Sequence, residues 1–197
     1  MVKLREVKLI SNFIDYINKL DGALIQWIQR TFSLSFWDTF FFYITDLHKE
    51  LYFQLLVILP LIIYWLVKEK KNGFYKFLGL LMNLIIIDAF CGSVIKKIVG
   101  RPRPFVTFVE IVQKSPASGY SFVSNHAANV VGIAVYMSYF YPKWKGLWWG
   151  IALLVCYSRL YNGVHYFTDV LFGGLVAGVI SFFTVRAINH RWEWGKK

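Results

Sequence analysis

Between Ser158 and Asp169 an otherwise apolar chain places a hydroxyl, a guanidinium, an imidazole and a carboxylate, on Ser158, Arg159, His165 and Asp169. An imidazole with a carboxylate against it is held in one tautomer, which a nucleophilic or basic histidine requires. The local signals are those of a tight connection between two helices. Tyr161-Asn162-Gly163 reads as a helix stop, with Gly163 able to take the left-handed cap, and Thr168 or Asp169 reads as the N-cap of the next apolar run. If the turn carrying His165 is helical instead, His165 and Asp169 are four residues apart and still share a face.

Two further clusters carry unusual polar residues. Lys96-Lys97-Ile98-Val99-Gly100-Arg101-Pro102-Arg103-Pro104 closes an apolar run, and taken alone it is best explained as a basic membrane-end anchor. Ser121-Phe122-Val123-Ser124-Asn125-His126-Ala127 opens another. There Ser124 is a good N-cap, and the free N–H groups after it would point at a bound anion, although a capped helix with an interfacial histidine fits equally well. For the Ser158 to Asp169 quartet the plain alternative is a buried hydrogen-bond network. Together the three fit one chemistry. A lysine and two arginines can surround a phosphate, whose transition-state charge is best met by fixed donors in a site screened from water. Two histidines can divide the remaining work, one attacking phosphorus and the other protonating the leaving oxygen. No carboxylate cluster suits magnesium, so the cations take the part that metal ions play elsewhere, and neither metal nor cofactor is expected.

The elements that must position these residues are membrane helices. Of 197 residues 57% are hydrophobic and only 17% charged, outside the range of soluble domains. The apolar runs are continuous rather than alternating, which predicts an all-α polytopic helix bundle and not a barrel. A net charge of +11 would suit nucleic acid, but the cations sit between apolar runs, as in loops facing anionic lipid, so the bilayer is the expected partner and nucleic acid is not. Cys91 and Cys156 lie inside apolar segments as buried thiols, with no disulfide or zinc spacing. No cleavable signal peptide is expected.

From Leu9 to Gln29 apolar residues recur at helical spacing opposite Asn12, Asp15, Asn18, Lys19 and Gln26, the pattern of an amphipathic helix in the interface. Residues 1–33 are taken as this interfacial segment and 34–197 as the transmembrane domain. Phe36 to Leu47, interrupted by Asp38 and Asp46, reads as a partly embedded or oblique helix. Five spans follow: Leu51 to Val67, with a kink expected at Pro60, then Phe74 to Ile95, Val123 to Tyr141, Leu147 to Tyr161 and Val170 to Ile188. Gly173, Gly174 and Gly178 are expected to allow close helix packing. If the five cross in alternation, all three polar clusters fall on one side. The other receives Lys68, Lys70, Lys71, Lys143, Lys145, Arg186, Arg191, Lys196 and Lys197, and is cytoplasmic by the positive-inside rule. Asp88, within the second span, reads as a structural partner for a cation. His48 and His190 read as interfacial.

The joint pattern resembles the type 2 phosphatidic acid phosphatase and vanadium haloperoxidase superfamily. That signature is Lys, six residues, Arg-Pro; then Pro-Ser-Gly-His; then Ser-Arg, five residues, His, three residues, Asp. Lys96, Arg103 and Pro104 match the first part, and Ser158, Arg159, His165 and Asp169 the third. The second is matched in part by Val123-Ser124-Asn125-His126, with Asn125 where the family usually has Gly. The resemblance implies His165 as nucleophile, Asp169 as its orienter and His126 as general acid. Lys96, Arg103 and Arg159 would hold phosphate, with Ser124 and the Asn125 amide as donors, while the Asn125 side chain either crowds the phosphate or adds a donor. It implies a metal-independent lipid phosphatase of the cytoplasmic membrane with its site on the outer face. Candidate substrates are undecaprenyl diphosphate, phosphatidylglycerophosphate, phosphatidic acid or lipid A phosphate. A lipid phosphotransferase, a non-catalytic anion-binding transporter and a haloperoxidase are the alternatives. Head-group choice is expected to depend on residues 105–120 and the N-terminal helix, and oligomeric state is left open.

Overall fold

A computed structural model describes residues 2–47 and 50–194, and every regular element among them is helical. His48, Lys196 and Lys197 lie outside the described residues, as do the side chains of His190 and Arg191. Helix α1 is Val2–Phe32 and α2 is Ser35–Asp46. Helix α3, Leu51–Lys68, contains a π-helical stretch Gln54–Ile58 immediately before Pro60, so the distortion expected of the proline takes the form of widened turns on its N-terminal side. Helix α4 covers residues 71–99: Lys71–Ile87, a π-helical stretch Asp88–Ile95 and a last turn Lys96–Val99. Its end is capped by Gly100, left-handed at φ 61°. After the single turn α5, Pro104–Thr107, come α6, Asn125–Phe140, and α7, Lys145–Tyr161, joined by the 3-10 turn Pro142–Trp144. Helix α8, Phe167–Trp194, is the last.

The molecule is a multi-pass helical membrane protein. Leu51–Lys68, Lys71–Thr107 and Phe167–Asn189 are the described segments long and apolar enough to cross. Helices α6 and α7, of 16 and 17 residues, fall just short of the length of a square crossing, so only three of the five expected spans qualify by length and composition. Helix α6 is the centre, packed against α4, α7 and α8. Close approach comes from small residues, as expected of two of the three glycines on α8. A Cβ on Gly173 would stand 2.8 Å from the Ser124 carbonyl and one on Gly174 3.4 Å from Val131, whereas Gly178 faces open space.

Helix α1 turns one stripe of residues toward the rest of the protein. Leu9, Phe13, Ile14, Leu20 and Trp27 are exposed, while Asp21, Ile25, Ile28 and Gln29 are buried, a helical stripe in which two polar residues face the protein. Ile28 packs in one cluster with Phe41, Leu160 and Tyr161, and Ile25 in another with Ile111 and Tyr166. Gln29 is held from both ends: its side chain donates to the carbonyls of Val112 (2.8 Å) and Tyr161 (3.1 Å) and accepts from the Val112 amide (3.0 Å).

Candidate active site

Helix α7 ends where the sequence indicates. Asn162 donates its N–H to the Ser158 carbonyl at 2.9 Å, and Gly163 follows at φ 67°. A Cβ on Gly163 would also lie 2.6 Å from the Val112 carbonyl, so both conformation and space require glycine. The chain turns back so that the amides of Val164 and His165 both reach the Arg159 carbonyl at 3.3 Å. His165 is therefore set by a closed turn, not by a helical face.

Helix α8 begins at Phe167, two residues earlier than a cap at Thr168 requires and three earlier than one at Asp169, which corrects both candidates. Asp169 instead sits in the first turn, and its Oδ2 accepts from the backbone amide of Tyr166 at 2.9 Å, the backward half of a capping box. The same oxygen lies 3.4 Å from His165 Nδ1, directing that nitrogen toward the carboxylate. The other ring nitrogen, Nε2, faces Arg103 Nη1 at 3.3 Å. His165 lies in the connection between α7 and α8, outside the spanning helices. Burial pushes its imidazole down to about 3, against the opposing pull of Asp169, so the ring is neutral with its Nε2 lone pair among cations.

Three cations converge here from three elements. Arg103 is fixed by carbonyls: Nε donates to Gly119 (3.0 Å), Nη2 to Ser118 (2.7 Å) and Nη1 to Val164 (2.8 Å). Lys96, on the last turn of α4, donates to the carbonyls of Tyr120 (3.0 Å) and Ser121 (3.3 Å). The loop of residues 105–120 thus contributes backbone oxygens that aim the cations. Arg159 donates Nη1 to the Thr45 hydroxyl, and its buried Nε has no hydrogen-bond partner among the described residues. None of the three has a carboxylate within ion-pair distance among the described residues.

The N-terminus of α6 completes the site. Ser124 caps it by accepting from the Ala127 amide at 3.4 Å, and its own amide donates to the Asp169 carbonyl at 3.0 Å, locking the second cluster onto the third. The side chain of Asn125 neither crowds this position nor adds a donor to it. It turns to Asp88 Oδ1 at 3.3 Å. Asp88 in turn accepts from Asn125 and, at 3.0 Å, from Asn129, so its partners are two amides and not the cation expected. His126 Nε2 lies 2.8 Å from Asp46 Oδ1.

Several contributors were not identifiable as such from the sequence. The end of α2 supplies Thr45, which contacts Arg159 and Ser158, and Asp46, which holds His126, so this one turn bridges the two histidine-bearing clusters. Arg101 is not a phosphate ligand here. It donates to Asp169 Oδ1 (2.7 Å), Asp21 Oδ2 (2.9 Å) and Asn18 (2.6 Å) and lies 3.7 Å above the Tyr166 ring, connecting α1 to the carboxylate beside His165. The available signal was the presence of Asp38 and Asp46 in an apolar helix and Asp21 in an amphipathic one. Carboxylates at such depths need partners.

Residues 77–193, more than half the chain, match the PAP2 superfamily, and the chain belongs to that family. A lipid A 4'-phosphatase of Porphyromonas gingivalis is 29% identical over 64% of this chain and 57% of its own length. A second, from Bacteroides thetaiotaomicron, is 28% identical over 84% of this chain and 75% of its own. The chain thus spans little more than half of the first of these relatives. Among solved structures, LpxE from Aquifex aeolicus superposes with a TM-score of 0.65 at 23% identity, covering 83% of this chain and 93% of that one, which establishes a shared fold.

Proposed function

We propose that this protein is an integral membrane lipid phosphatase that removes a terminal phosphate from a lipid phosphate or diphosphate through a phosphohistidine on His165. The observation that carries the reading is a buried imidazole whose Nε2 stands 3.3 Å from an arginine with no carboxylate partner among the described residues. In the first step the Nε2 lone pair forms a bond to phosphorus as the P–O bond to the lipid breaks, and His126 gives its proton to the departing oxygen. Lys96, Arg103, Arg159 and the first amides of α6 meet the charge that develops on the phosphoryl oxygens. In the second step His126 takes a proton from water, which attacks phosphorus, breaks the N–P bond and releases inorganic phosphate. Asp169 keeps the ring's Nδ1 proton directed away from the substrate.

With cations in the position that metal ions occupy in other phosphoryl-transfer sites, the reaction is metal-independent in this reading. Residues 1–33 act as the interfacial segment and 34–197 as the membrane domain, in the cytoplasmic membrane with the site at the outer face. The exposed apolar side of α1 supports the first of these placements. Substrate tails have apolar hollows nearby, one of about 280 Å³ lined by Phe36, Phe40, Tyr43 and Ile44 on α2. The experiment is phosphate release by the purified protein against undecaprenyl diphosphate, phosphatidylglycerophosphate, phosphatidic acid and lipid A. Release inhibited by vanadate and indifferent to EDTA is expected. Loss of activity on chelation would contradict the metal-independent step, and transfer to an added lipid acceptor in place of water would make the protein a phosphotransferase.

A further inference from the structure

The two histidines stand in opposite surroundings. His165 is buried near Arg103 and Arg159, whereas His126 is half-buried with its Nε2 2.8 Å from Asp46 Oδ1. Neither member of that second pair sits where its helix favours it. Asp46 is the last residue of α2, where the helix dipole disfavours a carboxylate, and His126 is the second residue of α6, where it disfavours a charged imidazole. Placed against each other, each offsets the other's unfavourable position. Asp46 is also firmly seated. Earlier on α2, Asp38 accepts from Lys114 at 2.6 Å and from the Tyr161 hydroxyl at 2.5 Å, and the Phe41 carbonyl accepts from the Asn162 side chain at 3.0 Å. Beside it, Thr45 accepts from Arg159 and Ser158, and the charge of Asp46 itself acts on Arg159. The other carboxylates around the site are turned elsewhere, Asp169 on α8 to His165 and Arg101, and Asp88 on α4 to Asn125 and Asn129.

We propose that Asp46 is a positioning residue for proton transfer: it holds the His126 ring by Nε2–H, so that the proton given to the leaving oxygen comes from Nδ1. The proposal rests on the phosphatase reading. An acid catalyst must arrive carrying its proton, which a helix N-terminus and nearby cations oppose and an adjacent carboxylate favours. In the first step the Nδ1–H bond breaks as the O–H bond of the lipid alcohol forms. The electron pair stays on Nδ1, and the ring becomes neutral with Nε2–H still on Asp46. In the second step Nδ1 takes a proton from the attacking water, which restores the imidazolium. Asp169 does the converse for His165, engaging Nδ1 and leaving Nε2 for phosphorus. Two carboxylates thus hold two rings by opposite nitrogens, one for a nucleophile and one for an acid.

The test uses the full-length protein in lipid nanodiscs and phosphate release from whichever of undecaprenyl diphosphate, phosphatidylglycerophosphate, phosphatidic acid and lipid A it hydrolyses fastest. Asp46→Asn should lower kcat about tenfold or more with KM changed less than about twofold, and Asp46→Glu should recover part of the loss. Placed on His126→Ala, Asp46→Asn should cost less than about twofold further, because its effect passes through the imidazole. A full additional loss in that background, or an unchanged kcat in Asp46→Asn, overturns the positioning role and leaves the phosphatase reading intact. Wild type supplies a measurement that does not depend on any variant folding. At a pH where the His126 ring is neutral, its ¹⁵N resonances should show the Nε2–H tautomer, and an Nδ1–H tautomer overturns the proposal. No phosphate release from any of the four lipids overturns both.

Discussion

Buried cations occupy both ends of α4, and they are treated differently. At the first end Lys76 is paired: its Nζ lies 2.5 Å from Glu69 Oε2, 3.4 Å from the Tyr141 hydroxyl and above the rings of Phe140 and Tyr141. The Tyr141 hydroxyl donates to the other Glu69 oxygen at 2.5 Å and accepts from Trp65 Nε1 at 2.5 Å, so the network closes on itself. At the other end Lys96, Arg103 and Arg159 have carbonyls, a hydroxyl and an imidazole, but no carboxylate among the described residues. Burying a charge without a counter-charge is unfavourable, and a fold that needed only to be stable would have paired these as it pairs Lys76. On the phosphatase reading the second end receives an anion that arrives from outside. Arg101, between them in character, spends its charge on Asp21 and Asp169 and so belongs to the scaffold of the site.

The contrast can be broken from either end. Lys96→Met or Arg103→Met should lower kcat/KM by about a hundred- to a thousandfold, as loss of one fixed donor does, while leaving the melting temperature unchanged or raised. Equal losses in stability and turnover, followed by thermal melting and phosphate release, would return these residues to a structural role. Asp21→Asn comes next. By loosening Arg101 it should let the Asp169 carboxylate drift from His165 and reduce kcat about tenfold, with KM little changed and Asp21→Glu restoring part of the rate. At the other end Glu69→Gln should cost roughly 2 kcal/mol of stability and leave turnover near wild type. The smallest effect is spectroscopic. Burial holds His165 below its ordinary value, so its ¹⁵N imidazole resonances should show a neutral ring down to about pH 5, whereas a midpoint above about 6 would show that the pocket does not exclude the proton.

Much of the site was legible in the sequence because its chemistry is local. Gly163 stops α7, Ser124 caps α6, and His165 and Asp169 come together through a five-residue turn. What could not be read is which apolar helix lies against which. Asp46 and His126 are 80 residues apart, as are Asp21 and Arg101, and hydrophobic periodicity gives each helix a face but not a neighbour. The start of α8 was misplaced because the Asp169 carboxylate reaches back to the Tyr166 amide from inside the helix, where a side-chain cap would sit before it. Asp88 was assigned a cation because sequence alone counts charges and does not show that α6 offers two asparagines one turn apart at that depth.

The most direct test is to trap the covalent intermediate. Rapid acid-free quenching of the His126→Ala variant, turning over a ³²P-labelled lipid phosphate, should leave an alkali-stable, acid-labile label that maps to His165 and is absent from His165→Ala. A label that survives in His165→Ala, or one that is hydroxylamine-sensitive and maps to a carboxylate, would contradict the assignment of His165 as the group that carries phosphorus.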